Sequence, residues 1–205
     1  MRFHNYINEV KLPSDWENII STIQKDCKPY IKLVKMFTDT SIGLYRGVTK
    51  KNGTFYKITP RKDRRPSTTN PVVHKVLDDI FYDKFGWKAR SEGVFVTSNM
   101  DVASSYGVSY LFFPIGKFDF LCSIQIDDLF FAIDKFNLDR IIIKSDKPDW
   151  EGKIRKKIEP FILDNYEKNN TNWLFSGVEV MFRCKSYYIV KYNDIEQDFM
   201  EKIRG

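Results

Sequence analysis

Two apolar, β-prone runs stand close together near the middle of this 205-residue chain: YLFFPIG at 110–116 and FDFLCSI at 118–124, separated by Gly116 and Lys117. Runs of this kind read as strands and make the middle of the chain β-rich. The flanks read differently. Ser14 serves as an N-cap with Glu17 three positions on, a capping-box pattern, and Trp16, Ile19, Ile20 and Ile23 recur at helical spacing. A second helical stretch passes through Tyr30, Leu33, Val34 and Phe37. The first forty residues are therefore expected to be a helical part, and 41–192 a β-rich core, within one domain spanning 1–205. The class is α+β.

Further signals place the elements between these landmarks. SIGLYRGV reads as a strand anchored by Leu44 and Val48, and KNGT at 51–54 as a hairpin-type turn. Asn70 caps a helix with Pro71 in its first position, Val73, Val76, Leu77, Ile80 and Phe81 as its apolar stripe, and Gly86 as its stop. GVFVTS is a strand running into a short helix that ends near Gly107. Residues 126–133 suit either a short helix or more sheet. The segment 151–170 reads as helix with Pro160 as a kink or boundary, and GVEVMFRC and SYYIVKYN as a final hairpin or adjacent strands.

Composition narrows the function classes. A hydrophobic content of 42% suffices for a core, and the 17 Phe and 11 Tyr are its natural filling. The net charge of +6 favours approach to polyanions, nucleic acid and dinucleotide phosphates included. Three widely spaced cysteines, Cys27, Cys122 and Cys184, argue against a disulfide framework and for a reducing compartment. The first sixteen residues lack the apolar stretch of a signal peptide, and no apolar run has bilayer length. A cytoplasmic protein with no membrane partner is the expectation. His4 and His74 are the only histidines and neither has a paired ligand nearby, so no metal site is expected. GxSxG, GxxxxGK[ST] and GxGxxG are all missing, which removes the usual support for hydrolase, P-loop and Rossmann readings.

Three polar groups at strand positions remain. Arg46, in LYRGV, is either a solvent-facing strand residue or a rigidly held fork for a phosphate, with Gly47 leaving room for a ligand. Phe95-Val96-Thr97-Ser98-Asn99 ends a strand, where Ser98 or Asn99 caps the next helix and the hydroxyls can also hold a sugar. Glu179 is a lone carboxylate in GVEVMF, on the strand face opposite Val178 and Val180.

In this order the three segments resemble ADP-ribosyltransferases of the R-S-E type, bacterial or phage members in particular. That pattern has an Arg on the first core strand, an aromatic-x-Ser-Thr-Ser strand and a late Glu followed by apolar residues. LYRG supplies Arg46, Phe95 with Thr97, Ser98 and Asn99 takes the place of the middle motif, and GVEVMF supplies Glu179. The resemblance covers roughly residues 40–190 and implies a split β-sandwich core, with NAD as substrate and no metal. It implies Glu179 as the catalytic carboxylate, Arg46 on the pyrophosphate and Thr97 bracing Glu179 or the ribose. Gly47, Ser98, Phe95 and Tyr106 would line the cofactor pocket. The middle motif departs as Thr-Ser-Asn, and Gly177 stands where arginine-modifying members carry Glu or Gln.

The acceptor is read separately. The loop Arg61-Lys62-Asp63-Arg64-Arg65-Pro66, with Arg90 and Lys153, Arg155, Lys156 and Lys157, is either a solvated surface or a groove for a phosphate backbone. Arg64 or Arg65 alternatively reaches NAD phosphates. Together with Gly177, this slightly favours a nucleic-acid base over a host protein as acceptor. Fold-level analogy suggests a toxin, defence effector or phage host-takeover enzyme, with an antitoxin or inhibitor as a further partner. The competing expectations are an NAD glycohydrolase and a non-catalytic nucleic-acid-binding protein.

Overall fold

In a computed structural model, the two central runs form strands in different sheets. The structure describes residues 9–11, 15–37, 43–49, 53–64, 69–123, 125–138, 141–142, 149–192 and 198–205. In chain order the elements are β1 (Glu9–Lys11), α1 (Trp16–Asp26), α2 (Lys28–Val34), β2 (Tyr45–Val48), β3 (Phe55–Ile58), α3 (Pro71–Phe85), α4 (Ala89–Glu92), β4 (Val94–Val96) and α5 (Met100–Ser104). Then follow β5 (Val108–Pro114), β6 (Phe118–Ser123), α6 (Leu129–Asp134), α7 (Trp150–Asn165), β7 (Tyr166–Lys168), a 3-10 turn at Thr171–Trp173, β8 (Val180–Cys184), β9 (Tyr187–Lys191) and α8 (Phe199–Arg204). The chain is mixed α+β. One sheet has the order β1-β3-β9-β5-β2 and the other β4-β8-β6-β7, with every pairing antiparallel.

The apolar runs are explained by burial on both faces. On β5, Phe112 meets Phe182 of the four-stranded sheet with ring centroids 5.0 Å apart. Its neighbour Phe113 points the other way, to Tyr30 of α2 and Phe199 of α8. On β8 the alternation sorts two cores. Val180 and Phe182 join the cluster shared with the five-stranded sheet, and Met181 joins the cluster under α3 and α7.

Local chemistry sets the helices. The Asn70 side chain accepts from the Val72 N–H at 3.0 Å, Pro71 takes the first position, and Gly86 ends α3 at φ +81, a conformation that suits glycine. All five stripe residues of α3 are buried. The α1 cap is Asp15, which accepts from the Glu17 N–H at 3.1 Å, and Ser14 lies outside the described residues. Helix α7 runs through Pro160 without ending. Ile154, Ile158 and Ile162 straddle the proline and are all fully buried, which holds the helix together across the lost hydrogen bond.

Three further expectations are corrected, and one open alternative is decided. The first forty residues are not all helical, because β1 pairs with β3 and extends the five-stranded sheet. KNGT makes no hairpin: β2 pairs with β5 and β3 with β9, and Lys51 and Asn52 lie outside the described residues. GVEVMFRC and SYYIVKYN are neither hairpin nor neighbours, since β8 and β9 belong to different sheets. Residues 129–134 are helical, with Asp128 accepting from the Phe130 N–H at 2.7 Å. Among the described residues, no helix is long and apolar enough to cross a membrane. All three cysteines are free thiols.

Candidate active site

The two sheets touch at an isolated bridge, where the Tyr45 N–H donates to the Thr97 carbonyl at 2.7 Å and the Thr97 N–H returns to the Tyr45 carbonyl at 3.0 Å. A cavity of about 420 Å³ opens beside this seam, a volume in the range of ligand pockets. Arg46, Gly47, Phe95, Thr97, Tyr106 and Glu179 all line it, as do Arg64 and Arg90.

Glu179 lies just before β8, on the side of the sheet that also carries Met181, and is only 7% exposed. Its Oε1 accepts from the Tyr166 hydroxyl at 2.9 Å. Burial pushes its carboxyl above the ordinary value of 4.5. The positive field of Arg90 opposes that shift, Asp128 adds to it, and hydrogen bonds from the Tyr166 hydroxyl and the Leu129 N–H oppose it. The result is a shielded carboxylate held above the usual range, not a water-facing strand residue.

Thr97 and Ser98 act on the turn that leads into Glu179. The Thr97 hydroxyl donates to the Gly177 carbonyl at 2.8 Å, and the Gly177 N–H donates to Ser98 Oγ at 2.8 Å. The two side chains thus clamp the Gly177 backbone on both of its polar groups, one on each flanking peptide unit. Gly177 has φ +88, where a side chain is strained, so the position two before Glu179 is a turn glycine with its backbone committed. Asn99, not Ser98, caps α5, accepting from the Asp101 and Val102 N–H groups at 3.0 and 3.2 Å.

Arg46 is half-buried on β2, opposite Tyr110, and its Nη1 donates to the Phe95 carbonyl at 2.9 Å. Gly47 has a different reason for being glycine than ligand access. A Cβ there would stand 2.1 Å from the Ala103 carbonyl oxygen, so the missing side chain admits α5 against β2. The exposed Tyr106 ring reaches Asp128 through its hydroxyl, and its phenol is pushed up to about 12, first by burial and then by that hydrogen bond.

The expected basic groove is redrawn. Arg90 is 5% exposed and faces the cavity, and Arg64 lies in the same wall. Both stack on Phe95, with guanidinium carbons 4.2 Å (Arg64) and 5.1 Å (Arg90) from the ring centroid. Phe95 is thus a platform for cations. Arg61 stays outside and pairs with Asp63 at 3.2 Å, and Arg65 lies outside the described residues. Arg155 pairs with Asp83 and Glu159, and Lys153 with Asp149. Arg61, Lys153 and Arg155 are thus answered locally, while Lys157 donates to the Phe136 carbonyl at 2.6 Å and Lys156 is exposed.

Sequence reasoning missed Tyr166, Asp128 and the group His74, Asp78 and Ser91. Asp78 is 3% exposed on α3. Its Oδ1 accepts from the backbone N–H groups of Arg90 and Ser91 at 2.8 and 3.1 Å, and its Oδ2 accepts from the Ser91 hydroxyl. His74 Nε2 lies 3.0 Å from Ser91 Oγ, and burial lowers its pKa. Among the described residues, no group of three or more His, Cys, Asp or Glu side chains is arranged to hold a metal ion.

No protein-family model, curated protein or solved structure matches this chain.

Proposed function

We propose that the cavity binds NAD and that the protein is an ADP-ribosyltransferase moving ADP-ribose to a macromolecular acceptor. The observation that carries the reading is the convergence of Arg46, Thr97 and Glu179, from three distant segments, on one cavity with the carboxylate buried. Two antiparallel sheets, with Arg46 on a strand of one and Glu179 leading into a strand of the other, suit the split β-sandwich of the R-S-E family.

In this reading the bond between nicotinamide nitrogen and ribose C1′ breaks, and its electron pair leaves with nicotinamide. Positive charge develops on the ribose, and Glu179 stabilises it while accepting a hydrogen bond from the 2′-hydroxyl. The acceptor's nucleophilic atom then bonds to C1′ and its proton passes to solvent. Arg46 holds the pyrophosphate. Thr97 and Ser98 act through the Gly177 peptide to fix where Glu179 stands. Phe95 carries arginines in place of nicotinamide, which leaves Tyr45, Tyr106, Phe130 and Phe131 as the aromatic lining for the nicotinamide.

Gly177 brings no side chain to activate an arginine acceptor, and the net charge of +6 suits a polyanion, so the acceptor favoured is a nucleic-acid base. Arg64 and Arg90 no longer contribute to that preference, because they face the cavity. The test incubates the protein with NAD labelled in the adenosine part, together with RNA, DNA or lysate protein. Nicotinamide release and label on RNA or DNA are expected, both lost in Glu179→Gln. Label recovered only as free ADP-ribose would refute transfer, and unchanged NAD with every acceptor would refute the reading as a whole.

A further inference from the structure

The cavity wall holds two guanidinium groups that have no counter-ion in contact among the described residues. Neither Arg64 nor Arg90 forms a salt bridge with a described residue. Arg64 Nη1 and Arg90 Nε are buried and have no hydrogen-bond partner among the described residues. Both groups lie over the one Phe95 ring, whose carbonyl accepts from Arg46. Three cations therefore gather around a single residue. Burial, with repulsion from Arg46 and Arg90, pulls the Arg64 pKa down to about 10.

The charges of Glu179 and Asp128 reach Arg64, and that of Glu179 reaches Arg90, yet no carboxylate of a described residue forms a salt bridge with either guanidinium group, and the buried Asp78 carboxylate is engaged by the backbone. Asp78 binds the backbone N–H of Arg90 and the N–H and hydroxyl of Ser91. Ser91 in turn accepts the Arg64 N–H on its carbonyl at 3.2 Å. The buried carboxylate thus fixes the two backbones and leaves the two guanidinium groups free to meet a ligand. Buried cations with unmatched donors are costly unless an anion completes them. Guanidinium forks match phosphate oxygens two at a time, and two forks on one platform suit two linked phosphates.

We infer that Arg64 and Arg90, stacked on Phe95 and held through Asp78, form a diphosphate-binding subsite beside Arg46. The inference deepens the proposed function and rests on it for the dinucleotide, but a diphosphate alone is enough to occupy the subsite. Calorimetric titration with inorganic pyrophosphate tests it. The wild-type protein binds with an affinity that falls as salt rises, and Arg64→Gln and Arg90→Gln each weaken binding by about tenfold or more, the loss expected for a charge-assisted hydrogen bond. Should Arg90→Gln fail to fold, Arg64→Gln, which alters a less buried side chain, carries the test alone. The inference is overturned if the wild type does not bind pyrophosphate, or if folded Arg64→Gln binds it equally well. Pyrophosphate bound through Arg64, with no nicotinamide released from NAD, keeps the subsite and removes the transferase reading.

Discussion

Replacing Thr97 by valine separates the role of its hydroxyl from its shape. Thr97 is 6% exposed, donates to the Gly177 carbonyl at 2.8 Å and accepts from the Asn99 N–H at 3.1 Å. Valine fills nearly the same volume and removes both bonds. The Gly177 carbonyl is partly shielded, so its lost partner costs about 1–3 kcal/mol, while the Asn99 N–H on an exposed residue costs only about 0.5–1.5 kcal/mol. Together the loss is about 2–4 kcal/mol, which for a chain of this size lowers Tm by roughly 5–15 °C. The kinetic effect follows from position. Ser98 still holds the Gly177 N–H, but the Gly177 carbonyl, two residues before Glu179, is released. A misplacement of about 1 Å costs on the order of a hundredfold, so kcat for nicotinamide release falls by about 10–100-fold with KM for NAD little changed. Thr97→Ser keeps the hydroxyl and recovers both properties. Thermal melts and initial rates over a range of NAD concentrations provide the measurement. If Thr97→Val melts like the wild type and instead raises KM, the hydroxyl touches substrate and the clamp argument is wrong.

Glu179→Gln lowers the nicotinamide-release rate by about 10²–10³-fold, the usual loss for one preorganised electrostatic contact. The same variant is more stable than the wild type at neutral pH. Because the folded carboxyl titrates above 4.5, its stabilising contribution is complete below that value and is lost as pH rises through the higher folded value. The advantage of glutamine should therefore vanish in melts below pH 4.5, and an equal advantage at every pH would contradict the assignment. The acid limb of activity should lie above the ordinary carboxylate range. Tyr166→Phe removes a hydrogen bond that lowers the Glu179 value, so in a pH–rate profile that limb moves to higher pH. Gly47→Ala drives a Cβ to within 2.1 Å of the Ala103 oxygen and should cost about 1–3 kcal/mol in urea unfolding; a change below about 0.5 kcal/mol would mean that α5 moves aside freely.

What was legible in the sequence was local. The Asn70–Pro71 start and Gly86 stop of α3 depend on groups within a few residues of one another, and the structure has them as read. The strands β5 and β6 are also legible in the runs at 110–116 and 118–124, but their partners are not. Gly116 and Lys117 mark the break between the runs but not where each run goes. They carry the chain between sheets, held by the Ile115 N–H on the Ser186 carbonyl and the Gly116 N–H on the Asp26 carbonyl, both at 2.9 Å. Arg46, Thr97 and Glu179 stood out as polar groups in apolar strand settings. Tyr166 and Asp78 did not, because nothing near them in sequence marks the carboxylate or the backbones that they contact. For Arg64 and Arg90 the sequence leaves surface, groove and phosphate site open, because composition carries no direction. Gly47 lines the cavity, but the approach of the α5 backbone to it has no mark in the sequence.

The bridge between Tyr45 and Thr97 has a mechanical consequence. Arg46 follows directly after one half of that seam, while Thr97 is the other half and grips the peptide leading to Glu179. Any splaying of one sheet from the other stretches the distance between the Arg46 end and the Glu179 end of the cavity, the ends proposed to take the phosphates and the ribose. A dinucleotide touching both ends acts as a bolt across the hinge. Its binding free energy is then added to the cost of parting the sheets, and the Tyr45 and Thr97 amides, which form the hinge pin, should be the ones whose hydrogen exchange slows most when the bolt is in place.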